Sequence, residues 1–242
     1  MTQSEPRPVI WARLSGQGRG PARTLDHETI TNAAIAIADA DGLDAVTMRA
    51  VAGKVGHSPM ALYRHVGGRD DLTELMYDAV LGELELTRAP SGDWRAGLAG
   101  LARSTRRLQH RHPWVIHLGH RPTLGPNYIR MMEYAMACVD APGRPIDEML
   151  DMVGTVLQFT NGFVREELGV AEAHRRTGLD RAGWQQHMTP FVTELLGTGD
   201  HPYLAKIILD ADDSPDHDTV FERRLGMVLA GLTTAMDREG NA

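Results

Sequence analysis

The stretch GHSPMALYRHVGG, residues 56–68, confines one short helix between two breaks. Ser58 is a good N-cap, and Pro59 follows at the first helical position, where its missing N–H costs nothing. Gly67 and Gly68 end the helix. Leu62 and Val66 form an i, i+4 pair that must be buried. Pro59, Met60, Ala61, Tyr63, Arg64 and His65 are then left to face outward. Just upstream, Thr47 caps a second short helix, with Val46 and Val51 in staple positions and Ala50, Val51 and Val55 facing inward. Gly56 stops that helix, so the two are joined by a turn, in a helix-turn-helix outline.

A longer helix should precede this pair. Asp26 is its N-cap, Leu25 and Ile30 form the staple, and Ile30, Ala33, Ala34, Ile37 and Ala38 make one buried face until Gly42. A fourth helix is expected from near Arg69 to about Leu86, with Leu72, Leu75, Met76, Ala79 and Val80 inward and TRAPSGD as its end. Beyond it, helical periodicity recurs at 94–110, 126–139, 146–168, 181–196 and 218–238, with a short broken piece at 114–120. Residues 197–217 are polar and are expected to be mobile towards their acidic end. Strand-favouring aromatics are only 5% of the chain, which favours an all-α fold. The helix at 146–168 is apolar over more than half its circumference. It and the 218–238 helix, with Phe221, Leu225, Val228, Leu229, Leu232 and Met236, are expected to bury one face in their own subunit and another against a partner in a homodimer.

Hydrophobic residues make up 42% of 242, enough for a core. No apolar run approaches the roughly 20 residues of a membrane span, and nothing reads as a signal peptide. Cys138 is the single cysteine, so no intrachain disulfide is possible. A cytoplasmic protein with no membrane partner is expected. The net charge of −7 is uneven: residues 1–70 carry eight Arg and Lys against seven acids, a net of +1, so the remainder carries −8. In the first 24 residues Arg7, Arg13, Arg19 and Arg23 stand against Glu5 alone, among several glycines and prolines. That composition predicts a flexible basic arm over 1–24.

An outward helix in a helix-turn-helix can enter the major groove of DNA. Arg64 suits a guanine edge or a phosphate, while Pro59, Met60 and Ala61 suit thymine methyls. Tyr63 and His65 have the reach for phosphates, and Thr47 sits at a helix N-terminus, where anions bind.

Residues 30–72, through DGLDAVTMRAVAGKVG and LYRHVGGRDDL, resemble the DNA-binding domain of TetR-family transcriptional regulators. The resemblance implies an all-helical homodimer. Its parts would be an arm at 1–24, a three-helix reader at 25–72, a linking helix to about 86, and a ligand-binding and dimerisation domain at 87–242. By position it implies phosphate contacts from Thr47, Arg49, Tyr63, His65 and Arg69, with Pro59, Met60, Ala61 and Arg64 facing bases beside the Ser58 cap. Arg19 and Arg23 would reach the minor groove from the arm. The sequence departs from the family pattern at His57 and Gly68.

WVIHLGHRPTLGPNY (114–128) and QFTNGFVREEL (158–168) resemble the C-terminal domain of tetracycline repressors. There, the residues matching His117 and Glu166 serve a drug-bound magnesium. This chain places Gln158 at the other magnesium histidine, Glu85 at a further drug-contacting histidine and Leu101 at a pocket asparagine. The same scaffold with a different lining is expected, and so a small-molecule effector of a different kind, with no metal and no cofactor. The expected lining is Leu101, Thr105, His117, Arg121, Met131, Tyr134, Gln158, Phe159 and Glu166. The protein is then a dimeric repressor that leaves double-stranded operator DNA when the effector binds, and not an enzyme. Two alternatives stay open. One is a metal-binding enzyme or sensor built on His110, His112, His117 and His120; the other is a DNA-binding dimer with no effector.

Overall fold

The computed structural model describes residues 10–14, 25–86, 93–118, 124–210 and 216–239. They form eleven α-helices and two short 3₁₀ turns, with no strand among the described residues. The chain divides into two compact units, residues 1–161 and 162–242. The division falls inside a helix.

In the first unit the reader comprises α2 (His27–Asp41), α3 (Met48–Lys54) and α4 (Pro59–Leu62). The caps are those the sequence supplies. Asp26 accepts from the Thr29 amide at 2.7 Å, Thr47 from Ala50 at 3.1 Å and Ser58 from Ala61 at 3.3 Å. Each satisfies an amide that a helix start leaves without a partner. Leu25, Ile30, Val46 and Val51 are buried as the staples require. Ala52, not Ala50, faces inward with Val51, because a seven-residue helix turns only one narrow stripe to the core.

The linking helix α5 (Arg69–Leu81) is shorter than expected, since Gly82 closes it and residues 82–83 turn away, the Leu86 amide donating back to the Leu84 carbonyl at 2.9 Å. Helix α6 (Trp94–Arg111), capped by Asp93, packs on α7 (Pro126–Val139), and α7 also packs on α5. Leu98, Leu101, Ala102, Met131 and Ala135 lie in that core. A 3₁₀ turn over Pro113–His117 stands where the broken piece was expected.

Residues 10–14 depart from the expected free arm. They form α1 (Ile10–Leu14), and Ile10 is buried against Val66 and Leu75, with Trp11, Leu14 and Met48 packed around them. Arg13 pairs with Asp71. The apolar IWARL sequence outweighs its Gly- and Pro-rich surroundings, because Ile10 and Leu14 share one helical face. The rest of the expected arm, Arg7, Arg19 and Arg23 included, lies outside the described residues.

Helix α8 (Ile146–Thr177) is nine residues longer than expected. In the first unit it buries Met149, Met152, Val153, Val156 and Thr160, whereas Leu150 is 46% exposed. It therefore buries one side within the chain. In the second unit α8 buries Phe163 and Val164, and α9 (Arg181–Gly197), α10 (Pro202–Asp210) and α11 (His217–Glu239) follow. Phe221 of α11 meets Phe163 edge to face at 5.1 Å, with Leu225 and Leu229 also buried. Helix α10 lies within the segment expected to be mobile; Leu204, Ile207 and Ile208 give it helical spacing.

Candidate nucleic-acid and effector sites

The outward face of the reader is set by what lies under it. Leu62 and Val66 are fully buried, which fixes the roll of α4. Met60 is then 68% exposed and Tyr63 48% exposed, with Ser58, Pro59 and Arg64 also exposed and Ala61 half-buried. Gly56, at φ +72°, makes the turn from α3 in a conformation that other residues rarely adopt. Thr47 and Arg49 are exposed at the start of α3.

His65 and Arg69 have structural partners as well. The His65 ring stands edge to face with His27 at 5.5 Å, and His27 Nε2 is 3.0 Å from the His65 carbonyl oxygen. Arg69 donates to the Leu43 carbonyl at 3.1 Å and lies 3.6 Å from Asp44. Both are bound into the reader's frame, so each can hold a phosphate only while bracing the domain.

The expected effector lining falls into two groups. Leu101, Thr105 and Met131 are buried, and Tyr134 and Phe159 half-buried. By contrast, His117 and Gln158 are exposed. In the turn that carries His117, Trp114 and Val115 take the buried positions. Glu166 is exposed and reaches Arg224 at 3.4 Å, so the residue matching a magnesium-site glutamate faces an arginine. Arg121 and His120 lie outside the described residues. Of the four histidines in the suggested cluster, His110 and His117 are exposed and His112 is buried. No group of three or more His, Cys, Asp or Glu is arranged for a metal among the described residues.

Sequence reasoning missed the two polar junctions that tie the reader to the helices behind it. At the first, His112 Nδ1 lies 2.7 Å from Asp39 of α2, and Nε2 lies 3.3 Å from Glu83, just past α5. The Trp114 indole N–H donates to Asp39 at 2.7 Å, and Arg111 donates to Glu83 at 2.6 Å. Burial pushes the Glu83 carboxyl up, but the bonds to Arg111 and His112 outweigh it and hold it below its usual value.

At the second junction, Asp78 of α5 is buried and caps α7 from outside. Its Oδ1 accepts the amides of Asn127 at 3.0 Å and Tyr128 at 2.9 Å, and its Oδ2 accepts Asn127 Nδ2 at 3.1 Å. A carboxylate suits the positive end of a helix. Arg130 returns the tie by donating to the carbonyl of Gly82 at 3.0 Å. Gly125 is required here: a Cβ would overlap Asp78 Oδ1 and come within 2.8 Å of Trp11 Cζ2.

Helix α4 ends at Leu62, earlier than the glycines at 67 and 68 imply, and the turn after it carries Tyr63 and Arg64. With Met60 they form an exposed face over buried Leu62 and Val66, the outline of a helix-turn-helix DNA reader. Comparison with known proteins gives its family. Residues 30–76 match the family of bacterial regulatory proteins described as tetR, and residues 86–236 match the tetracyclin repressor-like C-terminal domain. The HTH-type transcriptional repressor DrrR1 of Streptomyces coeruleorubidus is 35% identical over 93% of this chain and 83% of its own length. A class A tetracycline repressor of Escherichia coli is 28% identical over 86% and 90%. Apo ActR of Streptomyces coelicolor superposes with a TM-score of 0.75 at 27% identity, covering 90% of this chain and 99% of its own. ActR has also been solved with actinorhodin, and that structure superposes at 0.69 with 28% identity, covering 87% and 96%. The chain belongs to the TetR family of bacterial regulatory proteins. Membership carries the function of a ligand-responsive, DNA-binding transcriptional repressor.

Proposed function

We propose that two copies of this chain grip one palindromic operator and that a drug-sized molecule in the effector domain releases them. Each α4 enters a major groove, with Arg64 reading or holding the DNA and Pro59, Met60 and Ala61 meeting base edges. Tyr63, Thr47, Arg49, His65 and Arg69 hold the phosphates, and Arg19 and Arg23 follow the minor groove. The two recognition helices stand about 34–36 Å apart, one helical turn of DNA. The exposed face of α4 above fully buried Leu62 and Val66 carries this reading.

The dimer joins through α8 and α11, in line with the apolar side chains these helices leave open, Leu150 at 46% and Met227 at 65% exposed. The effector occupies the helices around Leu101, Thr105, Met131, Tyr134 and Phe159, and is a molecule of the kind ActR holds as actinorhodin. The protein works in the cytoplasm, where its operator is; no helix among the described residues is long and apolar enough to cross a membrane.

The test begins with duplexes selected by the wild-type protein from a random pool. On the selected site Arg64→Ala should weaken binding by roughly tenfold to a hundredfold, the value of about 1–3 kcal/mol for a lost base or phosphate contact. Tyr63→Phe, which removes only a hydroxyl, should weaken it less. Melting temperatures should hold, since both side chains are exposed. Normal binding by both variants would remove α4 from the DNA.

A further inference from the structure

One face of α6 carries an arrangement that the fold alone does not require. Leu101, Thr105 and Gln109 follow one another at four-residue spacing, so they form a single row along the helix. All three are buried, Thr105 at 7% and Gln109 at 5% exposure. Gln109 Nε2 donates to Asn161 of α8 at 2.6 Å, which points the row towards α8 and fixes the amide. Yet the Thr105 hydroxyl oxygen and Gln109 Oε1 have no hydrogen-bond partner. Buried polar atoms are nearly always satisfied, and each exception calls for a ligand, a water or a function.

We propose that Thr105 and Gln109 are the hydrogen-bonding anchor of the effector. The anchor takes an uncharged donor group, a hydroxyl or an N–H, directed at Gln109 Oε1. One turn away, at about 5–6 Å, the Thr105 hydroxyl bonds a second polar atom of the same molecule. Gln109 can only accept through the free atom, because its N–H₂ is held by Asn161. The molecule therefore presents a donor there, and analogues lacking it leave the Gln109 oxygen unpaired and are rejected. Leu101, next in the row, supplies apolar surface. This inference rests on the proposed effector domain and names the chemistry of its site.

The experiment has a part without ligand and a part with actinorhodin as the probe. In ligand-free protein, Thr105→Val removes a hydroxyl that has no partner and keeps the side-chain shape. Its melting temperature should stay level or rise by up to roughly 4 °C. A fall of about 2 °C or more would show that the hydroxyl is already satisfied, by protein or by an ordered water, and would overturn the anchor whatever the effector is. With actinorhodin, wild-type protein should bind, and Thr105→Val and Gln109→Leu should each lose at least about tenfold in affinity while keeping operator binding. Equal binding by wild type and both variants overturns the anchor and leaves the effector domain standing. No binding by wild type overturns the effector class, and the anchor's ligand with it.

Discussion

Replacing Asp78 by alanine should loosen the junction of α5 and α7 by an amount the structure sets. Three donors lose their acceptor at once: the amides of Asn127 and Tyr128 and the side-chain amide of Asn127. Leaving a fully buried donor unpaired costs about 1–3 kcal/mol. Asn127 and Tyr128 are half-buried, so water can reach them in part, and the low end applies. The sum is about 3 kcal/mol, or a fall in melting temperature of roughly 6–12 °C for a chain of this size. Asp78→Asn keeps one oxygen for the two backbone amides and should cost less than half as much.

The pH dependence separates this from a simple packing loss. Burial pushes the Asp78 carboxyl above its usual value, against the bonds from Tyr128 and Asn127 and the charge of Arg130, which pull it down. A carboxyl raised by folding contributes stability that is complete below its unfolded value and is lost as pH climbs through the folded one. Asparagine does not titrate, so the Asp78→Asn variant should gain on wild type between acid and neutral pH. Calorimetry across that range reads both effects. A melting temperature for Asp78→Ala within 2 °C of wild type, or equal damage from alanine and asparagine, would refute the account of Asp78 as an external helix cap.

Two more perturbations address the same frame. Gly125→Ala should destabilise by at least about 2 kcal/mol, since its methyl group meets both Asp78 and Trp11 and the carboxyl is held by three donors; urea unfolding at an unchanged slope would measure it. His112→Ala should cost about 2 kcal/mol. The figure is modest because Asp39 and Glu83, which the buried ring bonds, keep 34% and 39% side-chain exposure and can turn to water. A loss under 0.5 kcal/mol in the same urea experiment would show that the two carboxylates do not need the ring.

The parts of the chain that could be read without coordinates are those governed by near neighbours in sequence. Asp26, Thr47 and Ser58 act within three residues of themselves, and their caps stand as the spacing implies. Helix α7 begins at Pro126 and ends at Val139, as its periodicity implies. Misjudged boundaries have local causes too. Helix α8 runs on because Gly169 keeps helical backbone and does not break it; the break comes at Gly178, at φ +68°. Helix α1 was hidden by the glycines, prolines and arginines around five helical residues. The junctions were unreadable for another reason: Asp78 finds its partners 49 and 50 residues downstream, and His112 finds Asp39 73 residues upstream. The sequence singles out His117 beside a motif, and nothing near His112 signals that it is buried between two carboxylates. Gln109 could have been found by stepping one turn from Thr105.

These junctions bear on how an effector could act at a distance. Helix α5 is held at both ends. Near its start, Arg69 grips the Leu43 carbonyl and Asp71 accepts from the Gly67 amide and pairs with Arg13. Near its end, Asp78 caps α7 and Arg130 binds the last carbonyls. A rod fixed at one end to the reader and at the other to an effector-domain helix cannot move at one end alone. On the proposed function, a molecule anchored on α6 that prefers a shifted α7 shifts α5 with it, and α5 carries the reader. The size of the response is bounded by the ligand's preference between the two arrangements. Moving an equilibrium from 1:99 to 99:1 takes about 5.5 kcal/mol of differential affinity. A hydroxyl and an amide oxygen left unpaired without ligand are well placed to supply part of it, provided that only the shifted arrangement brings both within reach of the same molecule.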